Sequence, residues 1–570
     1  MGAGLALLRR HRGAALRRDV VAGVVLAALL VPQGMAYAEL AGVSPVSGLY
    51  ATLVPLVVYF LLGPSRILVL GPDSAVSPLV AAAIIPLAAA GDASARTALA
   101  GLLAILVGVL MLAGGLARFG FVTELLSMPV RLGYLMGIAV TVIVAQPPKL
   151  FGFSVAAESF IPGVRDFVAG LDETNATALA IGVASLTLIL VLHRVAPKAP
   201  GVFLAVVGAT AVVAALGLAD QVPVVGAVPE GLPSFGIPDV TLEDFKTLVP
   251  AAVGIAFVAF TDTSVLSRSY AGRLHQEVDQ NQELAVLGVA NLATGFLQGF
   301  PISTSSSRTA VAEDIGARSQ FAGLAGAGVL ALLLIFGTGL VHDLLVSTLA
   351  AIVIVAVLGF IDVGAARRLR HWRRSEFNLA IVAFTGVAVL GVLWGVGIAI
   401  AVSLLNFIRR AWRPHDAVLG RVDNLKGYHD TERYPGARRI PGLVLYRFDA
   451  PLFFANADYF RERIRALARS VDVTWIVVAA EPMTDIDATA GEMLGGLNDE
   501  LDAAGIELAF AELKDPVRDR LRRYGIHDAI GGHRFFPTLG VAVGAYLHEN
   551  AVDWVDWEDR QPGHHAHPGH

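Results

Sequence analysis

The chain has 570 residues, of which 55% are hydrophobic and only 16% charged, against roughly 25% charged in an ordinary soluble protein. It contains no cysteine, which excludes disulfides, thiol catalysis and zinc–thiolate sites. The net charge of −5 gives no reason to expect a nucleic-acid partner.

Composition changes along the chain. Long apolar runs dominate up to about residue 410; beyond it charge returns and the runs shorten. A membrane part is therefore expected first and a soluble part after it. A helix needs roughly 20 apolar residues to cross a bilayer. The first such run, from Val20, has no processing site ahead of it and is expected to be a retained span. The pattern predicts fourteen spans, near 19–40, 46–62, 73–90, 97–117, 127–146, 175–193, 200–218, 248–269, 283–300, 304–314, 321–341, 344–361, 376–394 and 395–410.

Charge alternation supports that number. If the N-terminal Arg9, Arg10, Arg12, Arg17 and Arg18 are cytoplasmic, every even-numbered span ends inside. Those ends carry Arg66, Arg118, Arg131, Arg194, Lys198, Arg268, Arg273 and Arg318, then Arg367, Arg368, Arg370, Arg373 and Arg374. The long loops after spans five and seven are mostly acidic, with Glu158, Asp166, Asp220 and Glu230 among others. Arg409, Arg410 and Arg413 then place the C-terminal part in the cytoplasm, so both termini are expected there.

In span one, Gln33 and Tyr37 lie one turn apart, where Pro32 and Gly34 loosen the helix. They either line a cavity or hydrogen-bond to neighbouring helices. Segment three opens Gly71-Pro72-Asp73-Ser74-Ala75-Val76-Ser77-Pro78, and segment ten opens Gly299-Phe300-Pro301-Ile302-Ser303-Thr304-Ser305-Ser306-Ser307-Arg308. The two stand seven spans apart. Short Gly/Pro-interrupted segments at matching places in two halves point to a transporter binding site. A helix N-terminus presents free N–H groups and about half a positive charge, so two of them meeting head to head favour an anion.

Three ionisable residues need explanation. Arg308 would add a full charge in the first turn of segment ten; the alternative is that it snorkels to the cytoplasmic face. Asp262, in span eight, reads as a proton or cation coupling site, or as a structural partner for Arg308 or for the hydroxyls of Thr261 and Thr263. Asp73 reads as the N-cap of segment three, or as a second carrier of the coupled proton.

These residues resemble a known family. The stretch Val31-Pro-Gln-Gly-Met-Ala-Tyr-Ala-Glu-Leu-Ala-Gly, then Pro45-Val-Ser-Gly-Leu-Tyr50, is similar to the signature of the SulP anion transporters, or sulfate permeases. So are Ser65-Arg66 leading to Gly71-Pro72, Ser307-Arg308, and Leu349-Ala-Ala-Ile-Val-Ile-Val-Ala. The resemblance implies an α-helical polytopic membrane protein with a seven-plus-seven inverted repeat. Spans one to four and eight to eleven would form a mobile core, and the remainder a gate. An anion would bind between segments three and ten, at Gln33, Tyr37, Ser74, Ala75, Val76, Ser306, Ser307 and Arg308. Elevator-like movement of the core is implied too. The chain departs from the family in having Gln33 where many bacterial members have Glu, Asp262 where Glu is common, and Asp73 outside the usual pattern.

From Gly442 the period shortens. Leu443–Phe448, Trp475–Ala480 and Ile506–Ala511 read as buried strands alternating with helices, a small α/β domain. Pro451-Leu-Phe-Phe-Ala-Asn-Ala and Asp485-Ile-Asp-Ala-Thr-Ala-Gly resemble the STAS domain that follows the membrane part in SulP proteins. In related anti-sigma-factor antagonists this last loop carries a phosphorylated serine; here Thr489 is the candidate phosphosite, and a helix-opening N-cap loop is the alternative.

The expected division is a cytosolic segment over 1–18, a transport domain over 19–413, a linker over 414–441, the STAS-like domain over 442–550 and a disordered tail over 551–570. The tail's His564-His-Ala-His-Pro-Gly-His could bind metal adventitiously, but no functional metal site or cofactor is expected. No nucleophile–base pair or phosphate loop suggests an enzyme. The expected function is secondary active transport of a small anion, foremost proton-coupled sulfate uptake with sodium as a possible coupling ion, by a homodimer in the plasma membrane. Bicarbonate, chloride or dicarboxylate transport or exchange, and a membrane sensor acting through the STAS-like domain, are the alternatives. Abundant Arg and Ala over Lys reads as genome bias and suggests a bacterial source.

Overall fold

A computed structural model describes residues 14–89, 92–121, 127–153, 160–196, 199–273, 277–470 and 472–558. Arg9, Arg10, Arg12, Glu158, Lys198 and the histidine-rich end of the tail fall outside the described residues. The chain divides into two compact units, Met1–Ser403 and Leu404–His570.

The first unit is helical. Its main helices are α1 (Ala14–Leu40), α2 (Pro45–Leu62), α3 (Ser77–Ile84), α4 (Ala93–Leu116), α5 (Met128–Ala145), α6 (Ala176–Val195), α7 (Gly201–Leu216), α8 (Leu242–Arg273), α9 (Gln280–Phe296), α10 (Ser306–Asp314), α11 (Phe321–Phe336), α12 (Val346–Leu358), α13 (Arg374–Leu390) and α14 (Val392–Trp412), the last running on into the second unit. Each overlaps one expected span. Among the described residues seven helices are long and apolar enough to cross a membrane, and α7 and α11 are shorter apolar helices. The boundaries differ most at α8, which begins six residues before the expected 248, and at segment three, whose regular helix starts only at Ser77.

The packing has the pairwise logic of an inverted repeat. Helix α1 packs on α11 and α8 on α4; α2 packs on α11 and α9 on α4; α5 packs on α13 and α12 on α6. Exchanging each number for the one seven away, up or down, converts one member of every such couple into the other. Two groups result: α1–α4 with α8–α11, and α5, α6, α7, α12 and α13, joined where α12 and α7 meet α1. Small residues permit the tightest crossings, as expected where lipid removes the hydrophobic drive between helices. At α4–α9 a Cβ on Gly288 would lie 2.5 Å from the Leu112 nitrogen and 2.8 Å from the Gly108 oxygen.

The second unit is a six-stranded sheet of order β4-β3-β5-β6-β7-β8. Its strands are β3 (Asp416–Arg421), β4 (Tyr428–Asp430), β5 (Leu443–Phe448), β6 (Trp475–Ala479), β7 (Glu507–Ala511) and β8 (Phe535–Phe536). Strands β5 to β8 run parallel, while β3 is antiparallel to both its neighbours. Residues 414–441, expected as a linker, therefore carry two strands. Side chains alternate across β6 as the pleat requires: Ile476 and Val478 face one core, Trp475 and Val477 the other. Helices α15 (Ala457–Ala468), α16 (Ala488–Ala503) and α17 (Asp515–Arg523) cover the first face through Phe460, Leu494 and Val517; α18 (Leu539–Glu549) covers the second through Tyr546. Burial on both faces explains why these parallel strands read as continuous apolar runs.

The start of the expected tail is held against this sheet. Arg421, 7% exposed, donates to Asp556 at 2.8 Å and pairs with Glu558 at 3.1 Å. Its guanidinium lies over the rings of Tyr428 and Trp557. Burial pushes the Tyr428 phenol up to about 12, so it stays neutral beside that cation.

Candidate anion site

Two very short strands join the halves of the first unit. β1 (Leu70–Gly71) pairs antiparallel with β2 (Ser303–Thr304), with Leu70 opposite Thr304 and Gly71 opposite Ser303. Ser305 N–H donates to the Val69 oxygen at 3.1 Å, and Val69 N–H to Thr309 Oγ1 at 3.1 Å. Asn291 on α9 clamps the second arm: its Oδ1 accepts from Ile302 N–H at 2.9 Å while its Nδ2 donates to the Ile302 oxygen at 3.2 Å. Thr304 Oγ1 donates to Thr263 Oγ1 of α8 at 3.2 Å. β2 leads almost at once into α10, and β1 leads through a turn over residues 72–76 into α3, so the starts of two short helices, with their free N–H groups, follow from the paired strands.

Arg308 lies in the first turn of α10 and is 0% exposed, which overturns the snorkelling alternative. Its Nη2 donates to the Pro72 oxygen at the end of the opposite arm. Its Nε and Nη1 make no hydrogen bond among the described residues. Gly71 makes this approach possible. Its φ is +149°, and a Cβ there would stand 2.8 Å from Arg308 Nη1. Gln33 is buried on α1 with Oε1 unpartnered, and buried Tyr37 stands within electrostatic reach of Asp73 and Arg308. Ser74, Ala75 and Val76 are buried along the turn before α3, whereas Ser306 and Ser307 are exposed at the start of α10. The structure thus brings Tyr37 of segment one, Asp73 and Ser74 of segment three and Arg308 of segment ten to one locus.

Two readings need correction. Asp73 does not occupy the N-cap position of α3, which Val76 holds; its Oδ2 accepts instead from Ala75 N–H at 2.9 Å within the preceding turn. The turn intervenes because Pro78 and the small residues before it delay regular helix to Ser77. Asp262 does not pair with Arg308. Arg131 of α5 donates to its Oδ1 at 2.9 Å, and the Thr261 and Thr263 hydroxyls donate to main-chain oxygens one turn back in α8. Arg308 is instead engaged by Pro72, and Arg131 reaches Asp262 from the other helix group.

Sequence reasoning missed two buried carboxylates, Glu283 and Asp19, the latter 0% exposed and accepting from Arg318 N–H at 2.8 Å. Glu283 on α9 is 0% exposed, and accepts from Tyr59 Oη at 2.9 Å and from the Ser65 hydroxyl. Gln320 Nε2 donates to the main-chain oxygens of Ser65 and Leu68, both at 3.0 Å. An ionisable group inside an apolar run is the signal that would have found it. It stood at the first residue of an expected span and so read as a span end.

In the second unit Thr489 is exposed in the first turn of α16, whose N-cap Asp487 accepts from Ala490 N–H at 2.8 Å.

Residues 16–385 match the family model described as Sulfate permease family, and residues 434–542 the STAS domain. A protein named probable sulfate transporter, from Mycobacterium tuberculosis strain H37Rv, is 42% identical over 546 residues, covering 95% of this chain and 97% of its own. The chloroplastic sulfate transporter 4.1 of Arabidopsis thaliana is 32% identical over 548 residues, covering 93% and 80%. In fold, the chain superposes on the murine solute carrier 26 family member A9 anion transporter in its inward-facing state with a TM-score of 0.89 at 22% identity, covering 96% of this chain and 94% of that one. Two short helices that follow paired strands, with a buried arginine between the arms, suit an anion, more than nine-tenths of the length aligns with relatives named as sulfate transporters, and the chain belongs to the sulfate permease family of anion transporters.

Proposed function

We propose that this protein takes up sulfate with protons across the plasma membrane. The observation that carries the reading is Arg308: a fully buried guanidinium with two nitrogens free of partners among the described residues, in the first turn of a short helix that follows one of the two paired strands. An oxyanion there would accept from Arg308 and from the N–H groups of both helices, while Gln33 and Tyr37 border it. The charge-assisted bonds are the strong ones, about twice a neutral bond.

Asp262 is the coupling residue in this reading. Its ion pair with Arg131 joins α8 of one helix group to α5 of the other. Protonating Asp262 would cancel that pair and free the group carrying Arg308 to move past its neighbour, which is an elevator step. Asp73, buried close to Arg308, is a second candidate for the proton. Both termini lie in the cytoplasm, residues 19–413 transport, the STAS domain serves assembly or regulation, and the working unit is a homodimer.

The test is sulfate uptake into proteoliposomes with an imposed proton gradient, alongside bicarbonate, chloride and dicarboxylate as competitors. Uptake that rises with an inward proton gradient supports the reading. Uptake indifferent to the gradient defeats proton coupling, and full block by another anion with no sulfate uptake replaces the substrate. A sensor acting through the STAS domain is the second reading, favoured by exposed Thr489 beside its helix cap. Removal of the residues after Arg413 that leaves transport intact, with no cytosolic partner recovered, would dispose of it.

A further inference from the structure

Between α12 and α13 lies a ten-residue helix, Val363–Trp372, capped by Asp362, which accepts from Ala365 N–H at 2.7 Å. It packs on α13 and α5 through Ala365 and Leu369, which are buried. Trp372 is one helical repeat beyond Ala365 and so shares that face, yet it is 70% exposed because it projects past the protein that covers the others. Val363, at the opposite end, is 47% exposed. The other side is basic: Arg367, Arg368, Arg370 and His371 are exposed, and Arg373 and Arg374 follow at once. The nearby acidic groups do not balance this charge. Asp362 approaches Arg368 only to 3.9 Å, and Glu376 pairs with Arg373 at 3.5 Å.

Connectivity fixes the depth of this helix. It starts five residues after one membrane helix ends at Leu358 and stops two residues before the next begins at Arg374. It must therefore lie at the boundary between hydrocarbon and water. An exposed tryptophan suits that boundary, where aromatic rings sit at headgroup level. A short amphipathic helix with a basic face at that depth meets lipid phosphates. We infer that Val363–Arg374 is a docking surface for anionic phospholipid headgroups, with the arginines on the phosphates and Trp372 in the acyl boundary. The occupant is lipid rather than an acidic protein because the exposed tryptophan beside the charge needs an apolar medium that a free anion or an acidic peptide does not offer. This site is separate from the Arg308 locus and stands whichever anion is carried.

The test uses the full chain in nanodiscs made from an equimolar mixture of phosphatidylcholine and phosphatidylglycerol, followed by extraction and quantification of the lipid that co-purifies. The wild type is expected to retain phosphatidylglycerol severalfold over phosphatidylcholine, with the preference lost in high salt. A variant carrying R367Q, R368Q, R370Q and R374Q should fall to parity, while the corresponding four-lysine variant should keep the preference. No preference in the wild type, an unchanged preference in the glutamine variant, or its loss in a lysine variant that elutes normally would overturn the inference. If the glutamine variant fails to elute as folded protein, R370Q alone and the salt series on the wild type decide it by the same criteria. An acidic partner, including the chain's own second unit, is indicated if the glutamine variant keeps its lipid but changes its association, and that also overturns it.

Discussion

At the residue scale the site rests on one close contact. Arg308 can lie over the Pro72 carbonyl only because Gly71 has no side chain and a φ of +149°. Gly71→Ala should therefore displace the guanidinium and weaken sulfate binding without removing any charge. The expected loss is on the order of tenfold in apparent affinity, as for one charged hydrogen bond of roughly 1.5–3 kcal/mol; equilibrium titration of the purified variant measures it. Asp262→Asn should uncouple rather than abolish transport: exchange of sulfate for sulfate persists while the response to a proton gradient disappears. The sign follows from charge, since Asn imitates the protonated acid and leaves the Arg131 pair permanently broken. Much of this site was legible. Gln33, Tyr37 and Arg308 are costly in hydrocarbon, and their cost drew attention to them. Arg131 was legible only as an inside-facing charge, because a partner on a helix 131 residues away leaves no trace in local pattern. Glu283 was hidden for the related reason that its donors, Tyr59 and Ser65, come from a distant turn.

At the scale of elements, the two half-helices were readable because Gly, Pro and small hydroxyl residues are conspicuous between apolar runs. The pairing of β1 with β2 was not: two-residue strands carry no periodicity, and their register is set by Asn291 and Thr263 on other helices. The same holds for β3 and β4, which lie in a polar stretch and gain their place from β5. Glycines at helix crossings act through fit. Gly288→Leu would push a side chain into the α4 backbone, and overpacking of this kind costs about 1–3 kcal/mol. A lowered melting temperature of the detergent-solubilised protein, read by a dye-free unfolding assay, is the expected result. In the second unit, Asp487 caps α16 and its Oδ2 also accepts from Phe454 N–H at 2.9 Å. Asp487→Ala should lower stability by about 1 kcal/mol, the usual worth of an N-cap, and be visible as earlier unfolding of that unit in a denaturant series.

At the scale of the molecule, hydropathy and charge alternation carried most of the architecture. Long apolar segments before about residue 410 mark a polytopic helical protein, and the crossing pattern adds the offset of seven helices that relates its halves. Which helices pack together as one group was not readable from periodicity, because an apolar span looks the same whether it faces lipid or protein. Arg308, in the first turn of α10 and donating to the opposite arm, is proposed to bind the transported anion. The most direct measurement compares initial rates of sulfate uptake by wild type and Arg308→Gln in matched proteoliposomes, with sulfate binding measured on the same preparations. The account predicts that the variant reconstitutes to the same level yet loses binding by tenfold or more, on the order of the charged bonds removed, and loses uptake with it. A variant that binds and transports sulfate at the wild-type rate would contradict it.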